Sequence, residues 1–162
     1  MRTHFCGELN KKNLKQEVTL CGWVNRRRDH GGVIFLDIRD KKGLAQIVIH
    51  PETSNTFKLA ESVRNEFVLK ITGNVIARAN EMINKKIPTG EIEVLASEII
   101  ILNTSKPIPF QLDSVETSEE VRLKYRYLDM RGDRLANNLK LRFEVVKSIR
   151  RFLEDEYGCN HQ

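Results

Sequence analysis

EVTLCGWVNRRRDHGGVIFLDIRDKKGLAQIVI, residues 17–49, alternates apolar and polar side chains in three runs separated by glycine-bearing turns. A period of two marks strands with one buried face. In the first run Val18, Leu20 and Val24 share a face ahead of Arg26, Arg27 and Arg28, and Gly22 stands where a bulge is expected to bend the strand. His30-Gly31-Gly32 supplies a turn. In the second run Ile34, Leu36 and Ile38 oppose Phe35, Asp37 and Arg39. The chain turns again over Asp40 to Gly43, and the third run sets Ala45, Ile47 and Ile49 inward with Gln46 and Val48 outward.

Beyond this stretch, Pro51 ends the third run and the period changes. Phe57, Leu59, Ala60, Val63 and Arg64 fit a short helix, with Ser54 or Asn55 expected as its cap. Alternation returns at Phe67, Leu69, Ile71 and Val75, with Gly73 as a second bend. The polar segment from Asn80 to Gly90, which contains Pro88, reads as a loop. A fifth strand follows, with Ile92, Val94 and Ala96 inward and Glu91 and Glu93 outward. Five strands with one internal helix after the third predict an all-β, five-stranded OB-fold barrel, a fold that binds oligonucleotides on its second and third strands. Fold alone leaves the ligand open, because such barrels also take sugars and proteins.

The barrel is predicted over residues 1–103. Residues 104–116, with Pro107 and Pro109, lack periodicity and read as a linker or hinge. Residues 117–162 read as C-terminal helices. Thr117 with Glu120 has the form of a capping box and predicts a helix through about Leu128. A longer helix is predicted from about Arg134 to Tyr157, with Leu139, Phe143, Val146, Leu153 and Tyr157 as its apolar stripe and Gly158 as its stop.

Net charge is +5, from 27 basic and 22 acidic residues, and residues 1–50 hold ten basic against five acidic side chains. The surplus therefore sits beside the first three strands. It fits a polyanion-binding face or, on charge alone, equally a solvated surface. No apolar run approaches the length of a membrane span. Met1 to Lys12 lacks the apolar core of a secretory signal, so the cytoplasm is the expected location. Cys6, Cys21 and Cys159 have no short spacing and are expected to be buried or incidental thiols. His4, His30, His50 and His161 are scattered, so no metal site is expected. Neither a phosphate-cradling glycine loop nor a nucleophile–base set is visible, so catalysis by this chain alone is not expected.

Candidate binding residues come from the outward face. Alternation turns the Phe35 ring away from the core, onto the side of Arg39 and Gln46. A ring beside an amide and a guanidinium suits an unstacked base, since the ring stacks while the amide can both donate and accept. Packing of Phe35 beneath a loop is the alternative. Arg26 and Arg28 must share one strand face, where they could hold phosphates or base edges, or simply line a solvated turn. Glu93 would repel phosphate, so its role beside RNA is to accept from a base amino group; otherwise it is plain surface. Arg78, after the fourth strand, could add a further phosphate contact.

Several stretches together resemble bacterial-type aspartyl-tRNA synthetases. They are Met1-Arg2-Thr3, Cys6-Gly7, the run from Val18 to Asp29, Phe35 to Asp40, Arg64-Asn65-Glu66, Thr89 to Ala96, and Arg122 to Asp129. Asparaginyl and lysyl synthetases share the barrel and the element Arg126-Tyr127-Leu128-Asp129, whereas the run Asn25-Arg26-Arg27-Arg28-Asp29 fits the aspartyl type better. The resemblance implies a domain that binds the anticodon loop of aspartate tRNA. On it, Phe35 matches the aromatic that stacks on the middle uridine, Gln46 and Arg28 match groups that hydrogen-bond that base, and Glu93 matches the carboxylate reading a flanking base. Arg26, Arg64 and Arg78 fall at positions lining the loop.

The same resemblance implies a class II catalytic domain that uses ATP and magnesium and dimerises in full-length members. Residues 117–162 are expected to be only its lead-in, with Cys159 where an aromatic is usual. The expectation is a tRNA-binding fragment of an aspartate–tRNA ligase with no cofactor of its own and no membrane contact. It is expected not to dimerise stably, to be inactive alone, and to have a frayed or sticky C-terminal third. Two other roles fit the same residues: a stand-alone tRNA-binding or regulatory module, and a structural partner of a separate catalytic chain.

Overall fold

The computed structural model describes residues 1–112, 114 and 116–158; Cys159 and His161 lie outside the described residues. Two compact units are present, Met1–Pro107 and Ile108–Gln162. The first is a closed barrel of β1 (Glu17–His30), β2 (Val33–Asp40), β3 (Gly43–Ile49), β4 (Val68–Ala77) and β5 (Ile92–Asn103), with helix α1 (Ser54–Ser62) between β3 and β4. This is the expected OB-fold. β1 is long because it serves two partners: Glu17 to Trp23 pair with β4, and Trp23 to His30 pair with β2. Parallel pairing of β3 with β5, Ile47 opposite Val94, closes the barrel.

The inward residues of the alternating runs form the core. Val18, Leu20, Val24, Ile34, Leu36, Ile38, Ala45, Ile47 and Ile49 are all fully buried, joined by Leu69, Ile71, Val75 and Val94 from β4 and β5. Burying a side chain of Val, Leu or Ile size stabilises by about 1.5–3 kcal/mol. Ala60 and Val63 add the α1 side of this cluster, and Cys6 and Leu9 bring the N-terminal segment into it. The turn between β1 and β2 has two central residues, Gly31 at φ 61° and Gly32 at φ 76°. Left-handed backbone at both positions matches the twist of a tight hairpin and favours glycine.

The structure corrects three local expectations. Gly22 is not the bulge; a Cβ there would lie 2.5 Å from the Arg39 carbonyl oxygen and 2.7 Å from Ile38 Cγ2, so close strand approach requires glycine. The bulge is at Asn25, since Val24 faces Ile38 while Arg26 already faces Asp37. Val48 points outward by parity yet is only 3% exposed. The cap position of α1 is Thr53 rather than Ser54 or Asn55, and its hydroxyl donates to the His50 carbonyl instead of capping the helix. Gly73 does mark an irregularity: the β4–β5 register shifts between Thr72 and Gly73.

The second unit contains α2 (Glu119–Lys124), α3 (Arg126–Asp129) and α4 (Asp133–Tyr157). The expected helix through Leu128 is broken at Tyr125, and its cap is Ser118, not Thr117, with the Ser118 hydroxyl accepting from the Val121 amide. Arg122 grips Asp129 with a fork, Nε to Oδ1 at 2.9 Å and Nη2 to Oδ2 at 3.1 Å. Gly158, at φ 61°, ends α4 as expected. No described residue of α4 is buried. Among the described residues no helix is long and apolar enough to cross a membrane.

Candidate nucleic-acid interface

The outer face of β1, β2 and β3 collects most of the candidate side chains, and the Asn25 bulge explains how. Val24 points inward, so uninterrupted alternation would turn Arg26 and Arg28 inward as well. The extra residue reverses the parity, placing Arg26 opposite Asp37 and Arg28 opposite Phe35, both outward-facing partners. Arg27 takes the other face, opposite Leu36, and its Nε donates to the Ala60 carbonyl near the end of α1 at 3.2 Å. The same carbonyl accepts from the Val63 amide at 3.3 Å, and a cation at this end of the helix is favoured by its dipole.

A continuous polar chain then crosses the sheet. Arg28 Nη2 donates to Asp37 Oδ1 at 2.6 Å and to Gln46 Oε1 at 3.3 Å. Gln46 Nε2 donates to Glu93 Oε2 at 3.0 Å. Arg78 Nε donates to the Ile92 carbonyl at 2.9 Å and lies 3.8 Å from the same Glu93 oxygen. The half-buried Phe35 ring forms a wall of the adjoining groove, of about 520 Å³, which Arg28, Gln46 and Arg78 also line. These bonds orient the amide and both guanidinium groups before any ligand arrives, which lowers the ordering cost of binding.

Arg78 differs from a surface phosphate contact. Its side chain is 4% exposed, and its Nη2 is buried with no hydrogen-bond partner among the described residues. Burial lowers its pKa from the usual guanidinium value, opposed by the Glu93 carboxylate. Arg78 lines the groove, and its buried unpaired donor lacks the partner such groups ordinarily have. Arg26 is exposed on the same face and makes no side-chain hydrogen bond among the described residues. Arg64 stands apart from the polar chain: its Nη1 donates to the Glu61 and Val63 carbonyls at 2.9 and 3.1 Å, at the end of α1. Arg39, read from alternation as a neighbour of Phe35, is instead held by Glu66 and Asn25.

Asp29, His30, Met82 and Asn84 also line the groove. Strand alternation does not single them out because His30 ends β1 and Met82 and Asn84 lie between β4 and β5. The OB-fold itself is the signal that could find them, since the loops after its first and fourth strands join the binding face. Among the described residues no group of three or more His, Cys, Asp or Glu side chains is placed to hold a metal ion.

A barrel with this cationic, amide-bearing groove belongs to the nucleic-acid-binding class. The family model described as "OB-fold nucleic acid binding domain" matches residues 18–102, and the chain belongs to that family. A second model, "tRNA synthetases class II (D, K and N)", matches residues 118–158. The chain is similar to the aspartate–tRNA(Asp/Asn) ligase of Ruthia magnifica subsp. Calyptogena magnifica, 63% identical over 155 residues, covering 96% of this chain and 26% of that protein. It is 57% identical over 161 residues to the ligase of the same description from Trichodesmium erythraeum, covering 96% and 27%. The chain thus spans about a quarter of the length of these curated relatives, in their N-terminal region, where it carries the OB anticodon-binding domain. Among solved structures, asparaginyl-tRNA synthetase from Pyrococcus horikoshii aligns with a TM-score of 0.81 at 25% identity, covering 94% of this chain and 34% of that one.

Proposed function

We propose that this chain reads the anticodon loop of an aspartate-type tRNA, as the anticodon-binding part of an aspartate–tRNA ligase working in the cytoplasm. The observation that carries the reading is the Arg28–Gln46–Glu93 hydrogen-bond chain beside Phe35. A base stacked on Phe35 would meet both a donor and an acceptor at Gln46, which suits the mixed Watson–Crick edge of uridine. Arg28 supplies a second donor, and Glu93 accepts from an amino group on a neighbouring base. The unpartnered Arg78 Nη2 suits a base carbonyl or a phosphate oxygen. Arg26 and Arg64 then meet the loop backbone, where they raise affinity without reading sequence.

Charging of tRNA with aspartate, with ATP and magnesium, is proposed for the longer enzyme. Dimerisation is likewise left to that longer enzyme.

The test is a titration against an RNA stem-loop with the anticodon GUC, beside one whose middle uridine is replaced. Preference for GUC is expected, and Phe35→Ala and Gln46→Ala are each expected to cost about 1–3 kcal/mol of binding. Equal binding of both loops, falling steeply with salt, would leave only phosphate attraction and defeat the proposal.

A further inference from the structure

The Asn25 bulge decides which arginines face the groove, and the side chains of Arg39 and Glu66 meet beside it. Arg39, on β2, reaches across β1: its Nη1 donates to Asn25 Oδ1 at 3.1 Å, and its Nη2 donates to both Glu66 oxygens at 2.7 and 2.8 Å. Glu66 lies just before β4, with its backbone at φ 66°, a conformation that side chains other than glycine adopt at a cost. That backbone is tied to the same place: the Glu66 amide donates to the Val24 carbonyl at 2.8 Å, and the Val24 amide donates to the Phe67 carbonyl at 2.9 Å. The ion pair is shielded, with side chains 19% and 5% exposed. A buried pair is weak evidence of stabilisation but a sound device for fixing one arrangement against another.

We infer that Arg39 and Glu66 are positioning residues: they clamp the bulged Asn25 and so hold Arg26 and Arg28 on the RNA-facing side of β1. Neither touches the groove. Their contribution to binding passes through the parity of β1, so it reaches Arg28 but not Phe35, which β2 positions by itself. The inference rests on the anticodon-reading proposal above.

The test is a set of mutant cycles read by stem-loop affinity, with the GUC loop as probe and the full chain as protein. In the parent, Arg28→Ala and Phe35→Ala are each expected to weaken binding roughly tenfold. In a Glu66→Ala background, Phe35→Ala keeps its tenfold cost while Arg28→Ala costs less than about twofold, because Arg28 is already misplaced. Glu66→Gln, which retains an acceptor for Arg39, restores most of the Arg28 dependence. A merely structural role would lower stability and leave both costs unchanged. If Glu66→Ala does not fold, Arg39→Met with Glu66→Gln removes the clamp without stranding a buried charge, and the same cycles apply. An undiminished Arg28→Ala cost in the clamp-free background overturns the clamp and leaves anticodon reading intact. No cost of Arg28→Ala or Phe35→Ala in the parent overturns anticodon reading itself.

Discussion

The barrel and α4 are both made of amphipathic segments, yet they dispose of their apolar faces in opposite ways. Leu20, Ile34, Leu36 and Ile47 are fully buried, whereas Phe143 is 60% exposed and Leu141 66%. A sheet closed on itself buries its inner face within one unit; a single helix carries one apolar stripe and needs another surface to cover it. Periodicity therefore tells which face is apolar, and topology tells whether that face can be satisfied locally. A substitution at each place tests this. Leu36→Ala is expected to destabilise by about 2–5 kcal/mol, while Phe143→Ala changes stability by less than about 0.5 kcal/mol. Urea titration followed by the fluorescence of Trp23, the single tryptophan and part of β1, measures both. Comparable losses from the two variants would show that the Phe143 face is covered in the folded protein and would break the comparison.

Burial also separates the titrating groups of the two units. Desolvation pushes the Cys6 thiol far above its ordinary value, and the Asp40 carboxylate, which accepts from the Cys6 amide at 2.7 Å, raises it further. The folded barrel therefore keeps a proton that the unfolded chain releases above about pH 8.5. Since the unfolded state then binds fewer protons, stability falls as pH rises past that point, by about 1.4 kcal/mol per pH unit for this one group. Urea midpoints between pH 8 and 10 are the measurement, and Cys6→Ala should flatten the decline by that slope. Parallel curves for parent and variant would mean that Cys6 ionises while the barrel is folded.

Much of the barrel was legible because its strands obey one rule over long runs. Ile34, Leu36 and Ile38 had to point one way and Phe35 the other, and the structure agrees. The turn at Gly31-Gly32 and the stop at Gly158 were legible because φ near 60° favours glycine at those positions. The helix caps fell elsewhere: Ser118 caps α2 in place of the adjacent Thr117, since neighbouring hydroxyls offer equal caps, whereas the Thr53 hydroxyl turns to the His50 carbonyl and leaves α1 without a side-chain cap. The bulge at Asn25 was not legible. It leaves no gap in the pattern, because Arg26, Arg27 and Arg28 are alike in polarity, so a change of parity among them is silent. Parity did give the face of Arg39, the one it shares with Phe35, but only the fold shows Glu66 waiting there. The groove's loop residues, Met82 and Asn84, follow no period at all.

Arg78 sharpens the contrast between positions serving stability and positions serving binding. Its unpartnered Nη2 costs about 1–3 kcal/mol, which the Nε bond to Ile92 only partly offsets. Arg78→Met keeps most of the volume and removes both. Stability is expected to change by less than about 1 kcal/mol, while binding of the GUC loop weakens about tenfold. A large loss of stability without a loss of binding would make Arg78 a structural residue of the barrel.

The smallest effect is expected in the second unit, at the Arg122–Asp129 fork. The hydrogen bond from Arg122 is the main cause of a lowered Asp129 pKa; partial desolvation opposes it, and the charges of Arg122, Arg134 and Arg126 add to it. A depressed carboxylate contributes stability above its unfolded pKa and loses that contribution as pH falls through the folded one. The fork is therefore intact at neutral pH and opens only in acid. The pair is half-buried, its side chains 22% and 15% exposed, and a single ion pair of this kind contributes little, so its opening should shift helix content little. The clear readout is the carboxyl resonance of Asp129 in an NMR titration, whose midpoint should lie below the ordinary aspartate range and rise in Arg122→Gln. A midpoint that ignores Arg122→Gln would mean that the fork does not persist in solution. The second unit would then lack a side-chain tie between α2 and α3, which would widen its difference from the barrel.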